Sequence, residues 1–355
     1  MYSVIIAGGI GKRFWPRSRR ERPKQLLDII DQRSMLQMTY ERLKLASEEK
    51  KIYIITGQGL KDAILKNLPG FPEKNIVVEP SGKNTAPAIG LATTIITNKD
   101  PDAVIGVFPA DHLIANVAEF EKAVDEGFRY ARDHSALITF GITPTRPATG
   151  YGYIQFDKNT RIVENVIYRV KTFAEKPNLA TAQRFLESGE FLWNSGMFVW
   201  KGTNILNAIK IFLPELFESL QAIGKALDTP EYETVLKRQW AAIHSISIDY
   251  GVMEKAKNVY MVAAHFDWND VGSWDAVYDL CDKDQNGNVT RGEIVTIDSN
   301  GCYLHSRKNL IAAIGVRNLI VVQSKNSILI CNRGDSERVK ELVDLLDREK
   351  RHEHL

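Results

Sequence analysis

The sequence predicts an α/β fold with a mostly parallel sheet, followed by a smaller β-rich domain. Up to about Gly287, short β-branched runs alternate with helical patterns, as in parallel sheets that carry helices on both faces. Beyond that point, strand-like runs follow one another without helices between them. A length of 355 residues also favours two domains over one. We therefore expect domains at 1–285 and 286–355.

The elements can be assigned in chain order from their periodicity. The predicted strands of the first domain are SVIIAG, KIYIITG, NIVVEP, AVIGVFPAD and ALITFGI. The predicted helices between them are SMLQMTYERLKLA, GLKDAILKNL, APAIGLATTIITNK and EFEKAVDEGFRYARD. The predicted strands of the second domain are EIVTIDS, GCYLHS, NLIAAIG, NLIVVQS and SILICN. They are compatible with a short left-handed β-helix, which the helix SERVKELVDLLDREK would close.

Composition and charge narrow the classes of function. Hydrophobic residues make up 44% of the chain and charged residues 25%, as in ordinary soluble proteins. The 46 Lys and Arg residues barely outnumber the 44 Asp and Glu residues, so net charge gives nucleic-acid or membrane binding no support. No apolar run approaches the roughly 20 residues that span a bilayer. With three distant cysteines and no recognisable signal peptide, we expect a cytoplasmic protein.

A glycine-rich turn directly follows the first predicted strand. Gly8, Gly9 and Gly11 leave the backbone open to a ligand, as phosphate-binding turns do. A run of cations follows, at Lys12, Arg13, Arg17, Arg19, Arg20, Arg22 and Lys24. The dinucleotide and Walker A fingerprints both fail, because Phe14 and Arg13 stand where Gly and Ser or Thr are required. A polyphosphate cradle, a solvated basic face and a glycine loop without a ligand all stay open.

Two acidic positions are candidates for a divalent metal. Asp111, in FPADH, follows a predicted buried strand, and Asp270 lies in the aromatic turn WNDVGSW. Each alone is as well explained as a turn residue or a helix cap. Mg²⁺ prefers carboxylate oxygens together with substrate phosphates. Beside a polyphosphate cradle, the two therefore predict a Mg²⁺ site.

Polar residues in four further stretches suit the organic parts of a ligand. In PSGKNTAPA, Asn84 and Thr85 either cap a helix or meet a purine edge. In FAEKP, Glu175 suits a sugar hydroxyl and Lys176 a sugar phosphate, with an exposed ion pair as the alternative. FLWNSGMF places a single amide, that of Asn194, among aromatic residues, where it either caps its own turn or enters a pocket.

The fourth stretch, TGYGY, contains Gly150 and allows close backbone approach to a ligand.

In order, the chain contains AGGIGKRFWPRSR, RPKQL, EPSGKNTAPAI, FPADH, TGYGYI, FAEKP, LWNSGMFVW and FDWNDVGSW. This series resembles the mannose-1-phosphate guanylyltransferases (GDP-mannose pyrophosphorylases) over residues 1 to about 335. One departure is the sequence Ile10-Gly11-Lys12, where relatives often have Ser-Gly-Thr. Lys12 therefore adds a candidate phosphate contact.

The resemblance implies a Rossmann-like nucleotidyltransferase domain and a defined reaction. In it, α-D-mannose 1-phosphate attacks the α-phosphorus of GTP with Mg²⁺ as cofactor, giving GDP-mannose and pyrophosphate. It also implies a form without the isomerase domain that some relatives carry. The implied site residues are Arg13 and Lys24 (catalytic), Gly8, Gly9, Gly11 and Lys12 (phosphates), Asn84 and Thr85 (guanine), Gly150, Glu175, Lys176 and Asn194 (mannose 1-phosphate), and Asp111 and Asp270 (metal).

Three other functions remain open at this point. A pyrophosphorylase for glucose 1-phosphate with UTP or dTTP would share the fold and chemistry. A nucleotide-sensing regulatory subunit would share the fold alone. Nucleic-acid binding would rest on the basic N-terminal run. We expect GTP and mannose 1-phosphate as partners, no nucleic acid and no membrane, and a homodimer.

Overall fold

The computed structural model describes residues 1–163 and 167–355. The strands of the first part are β1 (Tyr2–Ala7), β2 (Ile52–Gly57), β3 (Ile76–Glu79), β4 (Val104–Pro109), β5 (Leu113–Ile114), β6 (Leu137–Ile142), β7 (Tyr153–Val163), β8 (Ile167–Ala174), β9 (Phe191–Lys201), β10 (Val259–Ala264) and β11 (Trp268–Asn269). The helices there are α1 (Met35–Leu43), α2 (Lys61–Asn67), α3 (Thr85–Lys99), α4 (Val117–Asp133), α5 (Leu179–Ser188), α6 (Gly202–Phe212), α7 (Pro214–Ala226), α8 (Tyr232–Ala242) and α9 (Trp274–Leu280). Each strand and helix predicted for this part is present.

The central sheet has nine strands in the order β3-β2-β1-β4-β9-β6-β10-β8-β7. Parallel pairs join β3, β2, β1 and β4, and also β6 and β10. In contrast, β9 runs antiparallel to β4 and β6, and β7 runs antiparallel to β8. Only three residues separate β7 from β8, which is too few for the crossover that parallel neighbours need. The α/β class is confirmed, and the sheet is parallel in one half and mixed in the other.

Local sequence explains how these elements form. β1 is buried along most of its length, because helices cover the sheet on both faces. The side chain of Ser34 caps α1 by accepting a bond from the Gln37 amide at 3.0 Å, and the Gln37 side chain accepts one from the Ser34 amide. The apolar helix α3 packs against α6 and α7.

Among the helices that the structure describes, none combines the length and the apolar character that a membrane span requires.

The C-terminal part is a small β-helix closed by a helix. Its elements are β12 (Val289–Arg291), β13 (Ile294–Ile297), β14 (Tyr303–His305), β15 (Ile311–Ile314), β16 (Leu319–Ser324), β17 (Ser327–Asn332) and α10 (Val339–Arg348). β12, β14 and β16 stack in parallel on one face, and β13 and β15 stack in parallel on another. Strands β12 to β16 therefore alternate between two faces, and β17 pairs antiparallel with β16. The five strands and the closing helix expected from the sequence are all present.

The C-terminal part shares a hydrophobic core with the N-terminal segment. Phe14 and Trp274 meet edge to face, with ring centroids 5.1 Å apart, and the Trp274 indole donates to the Trp15 carbonyl at 3.1 Å. Tyr303 of β14 and Ile320 of β16 belong to the same buried cluster. The turn after the glycine loop is thus packed on the β-helix. The expected domain boundary lies in the turn between α9 and β12 and stays a prediction.

Candidate active site

Two adjoining clefts lie at the carboxyl ends of the central strands, and most predicted site residues line them. The first, about 310 Å³ in volume, is lined in part by Gly8, Thr85, Asp111, Gly150, Glu175, Lys176, Asn194 and Asp270. The second is lined in part by Gly11, Lys12, Arg13, Lys24, Asp111 and Asp270. The two aspartates belong to both clefts and therefore lie on the wall between them. Gly9 and Asn84 line neither cleft.

The glycine turn brings Lys24 close to the backbone of the first loop. Gly11 has φ +69°, and a Cβ placed on it would lie 2.4 Å from the Cβ of Lys24. Only glycine tolerates both the left-handed conformation and this approach. The Lys24 amide donates to the Ile10 carbonyl at 3.2 Å, and the Gln25 side chain donates to the Ala7 carbonyl at 3.1 Å. The loop is thus built around a buried lysine.

The buried Lys24 ammonium lies between the two aspartates. It donates to Asp111 Oδ2 at 2.8 Å and to the carbonyl oxygen of Asp270 at 2.6 Å. The Asp270 carboxylate accepts a bond from the Tyr151 hydroxyl at 2.6 Å. Burial by itself would raise the pKa of Asp111, but the charges of Lys24 and His112 outweigh it, so the pKa lies below its usual value. Asp111 is therefore ionised at neutral pH.

The donor set at this wall fits a magnesium ion. Asp111 and Asp270 both face the clefts, and no group of three or more His, Cys, Asp or Glu side chains that could hold a metal occurs among the described residues. Mg²⁺ is commonly held by one or two carboxylates, with substrate phosphates and water completing its shell. A closed zinc site would require four protein ligands. The two carboxylates therefore fit a metal that arrives with a phosphate ligand.

Most of the basic N-terminal run is bound to other parts of the protein. Arg17 and Arg22 both contact Asp28, at 2.5 and 3.1 Å. Lys12 pairs with Asp344 and Arg20 with Asp347 on α10, and Arg19 contacts Asn326 and Ser327. Among the residues described, Arg13 is the member of the run that has no such partner. Six of the seven cations thus fix the segment in place, and Arg13 is free for a ligand.

Glu175, Lys176 and Asn194 meet at the far end of the first cleft. Lys176 forms an ion pair with Glu175 and has a positive φ of 47°, a conformation that non-glycine residues seldom adopt. Asn194 is buried, accepts a bond from Thr139 Oγ1 at 2.9 Å, and donates to Asp249 Oδ1 at 2.8 Å. This end of the cleft therefore offers fixed polar groups, as sites for hydroxylated ligands do.

Sequence comparisons identify the family. Residues 2–287 match the nucleotidyl transferase family model, and residues 292–346 match the model of the mannose-phosphate isomerase/GMP-like β-helix domain. A mannose-1-phosphate guanylyltransferase from Klebsiella pneumoniae is 39% identical over 99% of this chain and 75% of its own length. One from Salmonella montevideo is 38% identical with the same coverage. The chain belongs to the mannose-1-phosphate guanylyltransferases. It is an enzyme that transfers a nucleotide.

Solved structures share the architecture of this chain. A crystal structure described as a mannose-1-phosphate geranyltransferase from Thermus thermophilus covers 98% of the chain and 99% of its own, with a TM-score of 0.87 and 30% identity. A mannose-6-phosphate isomerase structure from Helicobacter pylori covers 76% of this chain and all of its own, with a TM-score of 0.61 and 24% identity, and shares the fold. Nucleotidyltransferases of this family generally use a divalent metal, which agrees with the paired aspartates.

Asn84 and Thr85 lie at the start of α3. Asn84 is exposed and caps the helix, since its side chain accepts a bond from the Thr85 amide at 2.8 Å. Thr85 Oγ1 accepts a bond from the Ile248 amide at 2.8 Å and also lines the first cleft. The helix-cap interpretation is therefore correct for Asn84. The predicted contact with guanine stays a prediction.

Sequence analysis missed Asp249. It begins a short π-helical turn, Asp249–Met253, lines the first cleft and bonds to Asn194. Burial, together with the charge of Glu175, raises its pKa to about 6. Its segment, SISIDYGV, contains no recognisable motif. The one available signal was a single acidic residue at the end of a short β-branched run.

Proposed function

We propose that the protein transfers GMP from GTP to α-D-mannose 1-phosphate, producing GDP-mannose and pyrophosphate. The observation that carries this proposal is the buried Lys24 between Asp111 and Asp270, on the wall that the two clefts share. The second cleft offers the uncommitted cation Arg13, and the first offers Glu175 and its polar neighbours. This arrangement favours binding of a polyphosphate in the second cleft and of a phosphorylated sugar in the first.

The reaction is an in-line displacement at phosphorus. An oxygen of the sugar phosphate forms a bond to the α-phosphorus while the bond to the bridging oxygen breaks, and the electron pair of that bond leaves with pyrophosphate. Lys24 stabilises the charge on the reacting phosphate, and Arg13 neutralises the leaving group. A unit charge pair about 4 Å apart contributes on the order of 4 kcal/mol at an effective dielectric near 20. Positioning and charge thus suffice without a covalent intermediate.

The remaining site residues hold the reactants. Asp111 and Asp270 are the proposed Mg²⁺ ligands, and the bound ion would neutralise phosphate charge. The backbone of the glycine turn is proposed to hold the phosphates, through Gly8, Gly9 and Gly11, with Lys12 beside it. Asn84 and Thr85 are assigned to guanine, Lys176 to the sugar phosphate, and Gly150, Glu175 and Asn194 to mannose. The polar lining of the first cleft supports the sugar assignment.

Release of pyrophosphate tests the proposal directly. The purified protein is incubated with Mg²⁺, mannose 1-phosphate and each of GTP, ATP, UTP and dTTP, with EDTA and no-sugar controls. We expect release largely confined to GTP and dependent on both the metal and the sugar phosphate. Arg13→Ala should lower the rate roughly 10²- to 10³-fold, as loss of one electrostatic group typically does.

Other results of the pyrophosphate-release experiment would each overturn a particular part of the proposal. Preference for UTP or dTTP would keep the chemistry and overturn the assignment of Asn84 and Thr85. Near-normal turnover by the Arg13 variant would overturn the role of that cation. If a folded preparation releases no pyrophosphate with any nucleotide, a nucleotide-sensing regulatory subunit becomes the better proposal.

We also propose that the protein forms a homodimer through the β-helix. Val295 and Ile297 of β13 and Ile314 of β15 are exposed side by side on one sheet face. Contiguous exposed apolar surface of this kind commonly marks an interface between proteins. A second copy of the same chain would offer an identical surface, as a two-fold interface requires.

A further inference from the structure

The C-terminal helix α10 contributes a lysine to the second cleft. Lys340 lines this cleft together with Arg13, Lys24 and the two aspartates. It belongs to the C-terminal part of the chain and is distant in sequence from the other lining residues. None of the motifs that suggested the site includes it.

Two ion pairs fix α10 against the glycine loop. Lys12 Nζ lies 2.5 Å from Asp344 Oδ1, and Arg20 Nη2 lies 2.6 Å from Asp347 Oδ1. Lys340, Asp344 and Asp347 are spaced i, i+4 and i+7, which places them on one face of the helix. Val343, between them in sequence, is buried in the core shared with the N-terminal segment. This face of α10 is thus held toward the loop, with Lys340 at the cleft.

Lys340 forms no salt bridge with another described residue. In the described part of the chain, no salt bridge joins Lys340 or Arg13 to a carboxylate, whereas Lys12 and Lys24 each have one. A cation in the first turn of a helix also gains nothing from the helix dipole. Lys340 interacts electrostatically with Asp344, one turn further along α10, but Asp344 is itself paired with Lys12, so the Lys340 ammonium remains available to a ligand. The cleft that it lines remains its evident environment.

The charge of the proposed ligand calls for more than one free cation. A nucleoside triphosphate carries about four negative charges, and Lys24 is already paired with Asp111. Without Lys340, Arg13 would be the single uncommitted cation among the described residues that line this cleft. Two cations on opposite sides of a polyphosphate form a clamp, since each can donate to different phosphate oxygens.

We propose that Lys340 binds the β- and γ-phosphates of the nucleoside triphosphate, and the pyrophosphate that they become, together with Arg13. This inference rests on the proposed function, because it uses the same cleft for the same ligand. It assigns part of the nucleotide site to the C-terminal part of the chain. Ligands that lack a second and third phosphate should be insensitive to this residue.

Binding of inorganic pyrophosphate tests the inference without requiring turnover. Calorimetric titration in the presence of Mg²⁺ compares the wild type with Lys340→Ala, Lys340→Arg and Arg348→Ala. Arg348 lies on α10 outside the cleft, so its variant removes the same charge from the same helix. We expect the Kd to rise about five- to tenfold in Lys340→Ala, to recover largely in Lys340→Arg, and to change less than twofold in Arg348→Ala.

Kinetics supply a second readout. In the reverse reaction, Lys340→Ala should raise the KM for pyrophosphate, while the forward KM for mannose 1-phosphate and the Kd for GMP stay unchanged. Unaltered pyrophosphate binding in Lys340→Ala, an equal loss in Arg348→Ala, or no measurable binding by the wild type would overturn the inference. GTP-dependent turnover by the wild type judges the proposed function separately.

Discussion

The buried carboxyl group of Asp249 affects both the stability of the fold and the proposed sugar site. It lies beside Glu175 and accepts a hydrogen bond from Asn194, and its pKa is raised to about 6. Because the folded state holds the proton more tightly than the unfolded state, this group makes the fold less stable as pH rises from about 3.8 to about 6. The ionised Asp249 carboxylate therefore destabilises the fold at neutral pH. A function at the proposed sugar site would explain why an acidic residue stands there.

Replacing Asp249 by Asn should change both the stability of the protein and its activity in a pH-dependent way. Above pH 6 the wild type is ionised, so Asp249→Asn should be the more stable protein and should have a lower kcat/KM for mannose 1-phosphate, by about tenfold. Below pH 4 the two proteins should converge in stability. The measurements are thermal melting and kcat/KM from pH 4 to 8.

The sugar phosphate itself also titrates near pH 6, so the informative quantity is the ratio of the two proteins at each pH. That ratio cancels the titration of the substrate. A ratio that stays constant across the range would contradict the assignment of this pKa to Asp249. A ratio of one at all pH values would remove Asp249 from the sugar site.

At the level of an element, the glycine turn after β1 determines where Lys24 lies. Gly11→Ala should cost about 1–2 kcal/mol for its left-handed backbone and should also displace Lys24, which the new Cβ would approach to 2.4 Å. We expect kcat to fall roughly 10²-fold. The measurements are steady-state kinetics and the free energy of unfolding.

Gly189 provides the matched control. It ends α5 with φ +62°, and a Cβ added there meets nothing within 4 Å. Gly189→Ala should therefore show the backbone cost alone, with normal kcat. If both alanine variants lose activity equally, the close approach of Gly11 to Lys24 is not what the site requires.

Some features of these elements can be predicted from the local sequence, and others depend on long-range contacts. The turn after β1 and Asp111 after β4 could be located because each follows a recognisable strand, whereas Asp270 was located by the aromatic turn WNDVGSW. The partners of the basic run could not, since Asp344 lies 332 residues from Lys12. Antiparallel β9 and the position of Lys340 likewise depend on long-range packing. Local patterns thus specified the glycine loop, and tertiary contacts determined which of its cations remain free.

For the whole molecule, the shared core couples the β-helix to the glycine loop. Phe14, which follows the glycine turn, packs on Trp274, and Trp274 packs on Tyr303 of β14 with centroids 5.5 Å apart. Together with the ion pairs from α10, this contact makes the position of the loop depend on the C-terminal part. The β-helix therefore packs on the N-terminal segment and leaves the apolar face of β13 and β15 exposed.

The exposed face of β13 and β15 should hold two copies of the chain together. Ile314 is 70% exposed and lies opposite Ile297 in the β13–β15 pair. Sedimentation velocity or light scattering at micromolar concentration should give a mass of about twice the 40.1 kDa of one chain. Ile314→Glu should dissociate the dimer, because a charge at the centre of an apolar interface would be buried without a partner.

Ile211→Glu is the control, since Ile211 is 63% exposed on α6, outside the patch. It should leave the mass unchanged. A monomeric wild type would contradict the dimer, and an Ile314→Glu protein that remains dimeric would move the interface to another surface. Because Ile314 is exposed on β15 and lines neither cleft, we also expect the Ile314 variant to retain most of its turnover.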